Sequence, residues 1–447
     1  KFFKSNKIFI GKDVDTKAPI YIPDSEIVQQ KLPHFSIIGA SSKGKGTFSQ
    51  SFLVQMLHKG FPVIVFDPNK DDHMIKNLKY HADMLGKQFH WIDFENYNKP
   101  QIDLLQGCTE YQFKQLTNMM FPNLKIRESD GNYYAQFSRL AREVYAQEVS
   151  SASCMYDLHQ KIFEKYTEDH LKGEDGNIPQ FVNEFLAMAK LGIMRVQDSI
   201  QIEEIINNGD VLYISCPEME ADDELSVLCR ALFMRTLQII KSRDEGNKKH
   251  VFLFVDEFAD FVNASVKKAI EQVRKKACTL LMNMTSFESL RGTQKDVDSE
   301  AFIDTVKINS IKLIYAQPDS RIAKNVSNMT GEKIVKVERE YLERNEALKE
   351  LQHAGETYQT PEKVPVYSST IIENLPPNVG VLLGLGLPKL IQTDTLRYPS
   401  EVHKPNLINA REFQLKNDNV LGLESKGDKT SQQQNQSNDQ NDLMEVL

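Results

Sequence analysis

With 447 residues, 40% hydrophobic and 26% charged, the chain has room for roughly two or three domains and an ordinary globular mixture. Its 54 lysines and arginines against 62 aspartates and glutamates leave a net charge of −8, which argues against a protein that coats duplex DNA, while a local basic channel stays compatible with it. No window reaches the roughly 20 apolar residues of a membrane helix, and no signal peptide is visible. The five cysteines, Cys108, Cys154, Cys216, Cys229 and Cys278, include no CxxC pair, so buried thiols in a reducing compartment are expected rather than zinc. The sequence opens at Lys1 without an initiator Met and reads as a soluble fragment or a processed chain.

Residues 35–38 form a short β-branched and aromatic run that feeds a Gly- and Lys-rich loop. Residues 47–59 follow with Phe48, Phe52, Leu53, Met56 and Leu57 at helical spacing, closed by Gly60. Residues 62–66 are apolar throughout and end on Asp67 and Pro68, as in a strand buried on both faces of a parallel sheet. Strand, loop, helix, strand is a βαβ unit, so residues 1–108 are expected to begin an α/β nucleotide-binding domain. From 109 to 207 the β-branched runs give way to helical spacing, as over 113–120, 134–145, 154–166 and 181–189, and an all-α insertion is expected there. Strand-like runs resume at 211–215, 251–255, 279–283 and 311–315, alternating with helical stretches at 224–241 and 264–275. Residues 379–383 and 389–391 are later strand candidates, so the α/β domain is expected to continue over 208–416. Residues 417–447 form a low-complexity tail with the run SQQQNQSN at 431–438, too polar to offset its ordering entropy; its apolar tip, 443–447, is either a frayed end or a tethered docking peptide.

Two patterns carry chemistry. Gly39-Ala40-Ser41-Ser42-Lys43-Gly44-Lys45 fits GxxxxGK, and it lies where the mechanism needs it, after a strand and at the start of a helix. Glycines let backbone N–H groups approach phosphates, the helix N-terminus adds a positive dipole end, and Lys45 would reach the β- and γ-phosphates of ATP. The plainer alternative is a solvated basic turn. The next position should be Ser or Thr, whose hydroxyl binds Mg²⁺, but it is Gly46, with Thr47 one place later and turned about 100° away on a regular helix. Second, residues 251–255 form an apolar strand ending in Asp256 and Glu257. Asp256 would hold Mg²⁺ through water, with Thr47 as a second metal candidate, and Glu257 would polarise the attacking water. Arg274 is a candidate for a cation supplied to a neighbouring subunit's phosphates, and Thr285, after the strand at 279–283, for a polar group sensing the γ-phosphate. Plainer alternatives are a solvated helix end for Arg274 and a strand-to-loop transition for Thr285. Asp67-Pro68-Asn69-Lys70 closes the second strand as a turn.

Together these blocks resemble the type IV secretion coupling proteins, the TraG/TraD group of conjugative ATPases, from Ile20 to about Tyr398. Ile20-Tyr21-Ile22-Pro23 is similar to the lead-in before the loop, residues 65–71 to the strand end that usually reads DPK, here with Asn69 inserted, and Asp256-Glu257-Phe258-Ala259 to the acidic motif. Residues 272–276 resemble a helix carrying an arginine finger, and 280–290 a strand followed by a polar motif in which the family usually has Gln where Thr285 stands. The resemblance implies a RecA-like P-loop NTPase core with a predominantly parallel sheet and an inserted all-α domain, assembling as a hexamer. It implies ATP and Mg²⁺ as cofactors and a place at the cytoplasmic face of the bacterial inner membrane, through an N-terminal anchor absent from this sequence. Implied partners are other copies of the chain, secretion-channel components, substrate adaptor proteins and secreted protein substrates, with DNA as a further possibility. The acidic charge and Gln-rich tail lean towards the protein-exporting, DotL-like type IVB branch.

Three functions follow from these residues. The first is an ATP-driven coupling motor that recruits protein or nucleoprotein substrates and drives or gates their transfer. The second is a non-hydrolysing recruitment platform of the same fold, suggested by Gly46 and Thr285. The third is an FtsK/HerA-like DNA translocase, against which the large helical insertion and the missing basic stripe argue.

Overall fold

The computed structural model describes residues 3–28, 32–121, 133–165, 179–199, 201–219, 223–243, 249–291, 299–345, 350–408 and 410–413. The tail expected at 417–447 lies outside the described residues. The chain opens with β1 (Lys7–Asp13), β2 (Pro19–Pro23) and the single turn α1 (Ser25–Val28). It continues through β3 (His34–Ile38), α2 (Lys45–His58), β4 (Val63–Asp67), α3 (Asp72–Met84) and β5 (Phe89–Asp93). Next come α4 (Glu110–Met120), α5 (Tyr133–Glu148), α6 (Met155–Lys165), α7 (Gln180–Lys190), the short β6 (Val196–Asp198) and α8 (Ile202–Asn208). Strands and helices then alternate: β7 (Val211–Ser215), α9 (Glu224–Ser242), β8 (Val251–Val255), α10 (Ala264–Val273), β9 (Cys278–Met284), α11 (Ser299–Asn309), β10 (Ser310–Ile314) and α12 (Ser320–Met329). The long hairpin β11 (Glu332–Asn345) and β12 (Glu350–Pro365) follows, then α13 (Ser369–Glu373), β13 (Val379–Leu383), β14 (Lys389–Gln392) and β15 (Arg411–Glu412).

One 11-stranded sheet organises these elements, in the order β2-β1-β14-β13-β10-β3-β9-β8-β4-β7-β5. From β10 to β5 every neighbour is parallel, while β13, β14, β1 and β2 extend the sheet as antiparallel edge strands. The fold is thus α/β with a predominantly parallel central sheet, as the sequence leads one to expect. The parallel strands β3, β4, β7, β8 and β9 are buried along their whole length, because helices cover both faces. Their side chains alternate between two cores. On β8, Phe252 and Phe254 face the layer formed by α2 and α3, and Val251, Leu253 and Val255 face the other layer. Phe52 of α2 locks the first layer, with its ring 4.9 Å from Phe35 and 5.8 Å from Phe252. The second core runs without a break from the sheet into the helices between β5 and β7. There Tyr145 packs 4.9 Å from Phe185, and Phe113 lies 6.0 Å from the same ring.

Strands β1, β2 and β5 and the β11–β12 hairpin do not stand out in the sequence. In β11, charged residues interrupt the apolar ones at nearly every second or third position, so no apolar face signals a strand. Its pairing with β12 holds over nearly the full length of both strands, with one irregularity at Glu340–Leu342. Among the described residues no helix is long and apolar enough to cross a membrane. The five cysteines are buried free thiols.

Candidate functional site

Strand order decides what meets at the carboxyl ends of the parallel strands. Helix α2 leaves β3 through the loop Gly39–Gly44, yet the next strand in sequence, β4, lies three places away, with β9 and β8 between. The tip of β9 therefore stands between the loop after β3 and the acidic pair after β8. A cleft of about 750 Å³ opens at this end, a size suited to a cofactor.

The loop's shape depends on its glycines. Gly44 has φ 121°, and a Cβ there would fall 2.7 Å from Asn378 Oδ1 and 2.9 Å from Asn378 Cα. A Cβ on Gly39 would fall 2.7 Å from Tyr315 Cβ. Ser42 takes a left-handed conformation, φ 61°, which costs a residue with a side chain. The segment beneath is tied in: the Asn378 N–H donates to the Lys43 carbonyl at 2.8 Å, and the Thr393 N–H donates to the Asn378 carbonyl at 2.8 Å. Lys45, only 9% exposed, folds back so that Nζ donates to the Gly39 carbonyl at 2.6 Å. Gly46 is different, since a Cβ there would meet nothing within 4 Å. Nothing steric keeps position 46 free of a side chain.

Asp256 and Glu257 line the same cleft. Asp256 accepts the Asn69 Nδ2 amide on Oδ2 at 2.9 Å and the Asn283 Nδ2 amide on Oδ1 at 3.0 Å. Glu257 sits in the left-handed region at φ 44°, an uncommon place for a residue with a side chain, and it is half-buried. Burial pushes its carboxyl above the usual range, the nearby Lys45 ammonium pulls it down, and Asp256 raises it again. Asp67, 1% exposed, closes β4 and holds the turn beyond: its carboxylate accepts the Asn69 N–H at 2.8 Å, the Asp71 N–H at 2.7 Å and the Tyr213 hydroxyl. Burial raises Asp67 as well, and those donors oppose the shift. Across the mouth, the Tyr398 hydroxyl lies 2.8 Å from His73 Nδ1.

The sequence-derived residues divide accordingly. Ser41, Ser42, Gly44, Lys45, Gly46, Thr47, Asp256 and Glu257 line one cleft, with Thr47 reaching it despite its place one residue late. Gly39, Ala40 and Lys43 shape the loop from behind: the Gly39 N–H donates to the Met284 carbonyl at 3.2 Å and the Ala40 N–H to the Ala316 carbonyl at 3.4 Å. Thr285 is exposed just past β9 and does not line the cleft; its carbonyl accepts Gln317 Nε2 at 3.3 Å. Arg274 is not brought to the cleft within one chain. It precedes β9 at the amino end of the sheet, where its charge acts on His34. Seven residues of β9 separate the two ends, roughly 20 Å at about 3.3 Å per residue. Asn283, Asn378 and Tyr398 line the cleft without having been singled out. For Asn283 one signal was available, a polar side chain closing an apolar strand run.

Chemically, the cleft offers an anion cradle that a Cβ would fill, a buried ammonium, a helix N-terminus and a held carboxylate. That donor set fits a polyphosphate with a hard divalent cation. Among the described residues no group of three or more His, Cys, Asp or Glu side chains forms a cation site of its own, so a divalent cation here would be completed by phosphate oxygens and water.

Residues 250–377 match the family model described as the TraM recognition site of TraD and TraG. The chain is similar to the unbound bacterial conjugative coupling protein TrwBdeltaN70, with 17% identity over 90% of this chain and 92% of that one and a TM-score of 0.58. It is similar to the plasmid coupling protein TrwB in complex with ADP and Mg²⁺, with 15% identity over 88% and 90% of the two chains and a TM-score of 0.55. VirB4 of Thermoanaerobacter pseudethanolicus gives 15% identity over 88% and 97%, also with a TM-score of 0.55. No curated protein matches the sequence significantly. Identities this low carry the fold alone, and the family-specific signal is the stretch 250–377. That stretch is similar to the TraG/TraD group and the fold is shared with the conjugative coupling proteins, with nothing that singles out the DotL-like branch.

Proposed function

We propose that the chain is the ATPase portion of a type IV secretion coupling protein, binding ATP with Mg²⁺ in the cleft and using hydrolysis to drive or gate the transfer of recruited substrates. The observation that carries this reading is the convergence of Lys45, Asp256 and Glu257 on one cleft at the ends of β3 and β8. A relative of the same fold, TrwB, is known in complex with ADP and Mg²⁺ and with a non-hydrolysable ATP analogue. In this reading the loop from Gly39 to Thr47 wraps the phosphates, and Lys45 leaves the Gly39 carbonyl to meet the β- and γ-phosphates. Asp256 and Thr47 face the cation, which supplies charge neutralisation when bound. Glu257 accepts the proton of the attacking water, and its raised carboxyl keeps a proton-accepting strength above that of a free glutamate. The products are ADP and phosphate.

Arg274, too far from the cleft of its own chain, acts on the phosphates of a neighbouring copy, which requires a ring; the hexamer of the resemblance is such an assembly. Residues 1–108 and 208–416 form the motor, with the helices of 109–207 inserted between its two parts, and the protein works at the cytoplasmic face of the inner membrane. The test is ATP hydrolysis by the full-length, assembled protein against Lys45→Ala. A loss of turnover with the fold retained supports the motor, and equal rates refute it.

Gly46 favours a second reading, a recruitment platform that binds nucleotide without turning it over. Tight binding of Mg-ATP with no release of phosphate by the assembled protein would decide for it. A DNA translocase would instead show strong, salt-sensitive duplex binding in a filter assay.

A further inference from the structure

We propose that Asn69 and Asn283 are a pair of positioning residues that hold Asp256 as the cation's anchor, compensating for the hydroxyl missing at position 46. The inference rests on the functional reading above and assigns a task to two side chains that the usual motifs do not contain.

The geometry is specific. Asn283 is 2% exposed, at the tip of the strand lying between β3 and β8. Its Nδ2 amide donates to Asp256 Oδ1 at 3.0 Å, and its Oδ1 accepts the Ser49 hydroxyl at 3.3 Å. Ser49 lies one turn along α2 from Lys45 and shares the same hydroxyl with the Lys45 carbonyl at 3.0 Å. Asn69 approaches from the other side, with its Nδ2 amide 2.9 Å from Asp256 Oδ2. Its backbone is fixed by the buried Asp67 carboxylate. One oxygen of Asp256 is therefore tied to the loop helix through β9, and the other to the turn after β4.

The chemistry explains why both groups are amides. An ionised carboxylate only accepts hydrogen bonds, so the NH₂ end of each asparagine must face Asp256. A neutral donor orients the carboxylate without cancelling its charge, whereas a lysine or arginine would compete with the cation. A carboxylate has about four lone-pair positions, and two amides leave the others for water on a cation. Without a hydroxyl at 46, a cation is located by phosphate oxygens, Thr47 and Asp256, the one carboxylate of this set, so the aim of that carboxylate matters more. Asn283, inside the cleft wall, also occupies the place expected for Thr285, which is exposed outside it.

The test is the affinity of the full chain for a fluorescent ATP analogue, titrated once in Mg²⁺ and once in EDTA. Asn283→Ala and Asn69→Ala should each leave the EDTA affinity within about twofold and reduce the gain given by Mg²⁺, towards the 10- to 100-fold usual when a partner of a metal ligand is removed. Asn69 is exposed, so its variant reads the effect without disturbing the core. Adding Gly46→Ser to Asn69→Ala should restore the gain, because position 46 has open space. The EDTA arm separates this role from a merely stiffened turn, which would lower both affinities alike. Equal losses in Mg²⁺ and EDTA, or a gain untouched in both variants, would overturn the proposal while the wild type still binds. A wild type that binds no nucleotide would overturn the functional reading and this proposal together.

Discussion

The two ends of the parallel sheet carry similar residue types and put them to different uses. At the amino end, polar side chains are buried and bond to the fold. His34 accepts the Leu280 N–H on Nδ1 at 3.0 Å, which fixes the tautomer, and its Nε2–H donates to the Ile270 carbonyl at 2.9 Å. Burial pushes His34 down to about 4 and His250 down to about 3, so both stay neutral near neutral pH. Arg243 spends its guanidinium on the carbonyls of Lys249 and Lys276. At the carboxyl end, Asp256, Glu257, Lys45 and Asn283 border a cleft, and a left-handed Glu257 and strained loop residues are tolerated. Polarity alone does not mark a site. What marks it is an ammonium and carboxylates brought together on one open cleft.

Replacing Glu257 by Gln should break the working end most severely. Phosphate release by the assembled protein should fall by roughly 10²- to 10⁴-fold with nucleotide binding retained. In the wild type the acid limb of the pH–rate profile should lie above the ordinary glutamate value of 4.5, since burial raises this carboxyl and hydrolysis needs it ionised. Arg274→Ala sharpens the comparison from the opposite end. Nucleotide binding by the single chain should be unchanged, and assembled turnover should drop by about 10³-fold, the scale of an arginine finger. Mixing Arg274→Ala with Lys45→Ala chains should recover part of the activity, because each supplies what the other lacks. Full activity of assembled Arg274→Ala would leave this arginine to the structural end.

Smaller effects are expected at the glycines. Gly44→Ala should destabilise the fold by about 1–3 kcal/mol in denaturant titration, since its Cβ would collide with Asn378 in a strained backbone conformation. Gly46→Ala should stay within about 0.5 kcal/mol of wild type. A purely pH-dependent effect lies away from both ends, at Asp103, whose carboxyl burial raises from 3.8 to about 7, with the Leu105 N–H and Arg235 opposing. The folded state holds a proton there that the unfolded chain has lost, so this group's contribution to stability falls as pH rises from about 4 to about 7. Asp103→Asn should flatten that slope in thermal melts across this window.

Much of the core was legible because it is local. The run at 62–66, fully apolar and closed by Asp67, and the run at 251–255, closed by Asp256, became β4 and β8 as expected of strands buried on both faces. The loop from Gly39 to Lys45 lies between a strand and a helix, as its pattern requires. What stayed hidden is set by strand order and by distant chain. Asn283 matters because β9 lies between β3 and β8, an arrangement no periodicity records. Asn378 and Tyr398 reach the cleft from more than 300 residues beyond the loop. Arg274, read as a cation for a neighbouring copy's phosphates, lies a full strand away from the cleft of its own chain.

The central claim, that this cleft is a nucleotide site organised by Lys45, is tested most directly by equilibrium titration of ATP with Mg²⁺ onto the wild type and Lys45→Ala, with circular dichroism of both. Saturable binding by the wild type, weakened roughly 100-fold or more in a Lys45→Ala chain of unchanged fold, is the result expected when a desolvated charge contact is truncated. Equal affinity in the two chains, or no binding by the wild type, would contradict it.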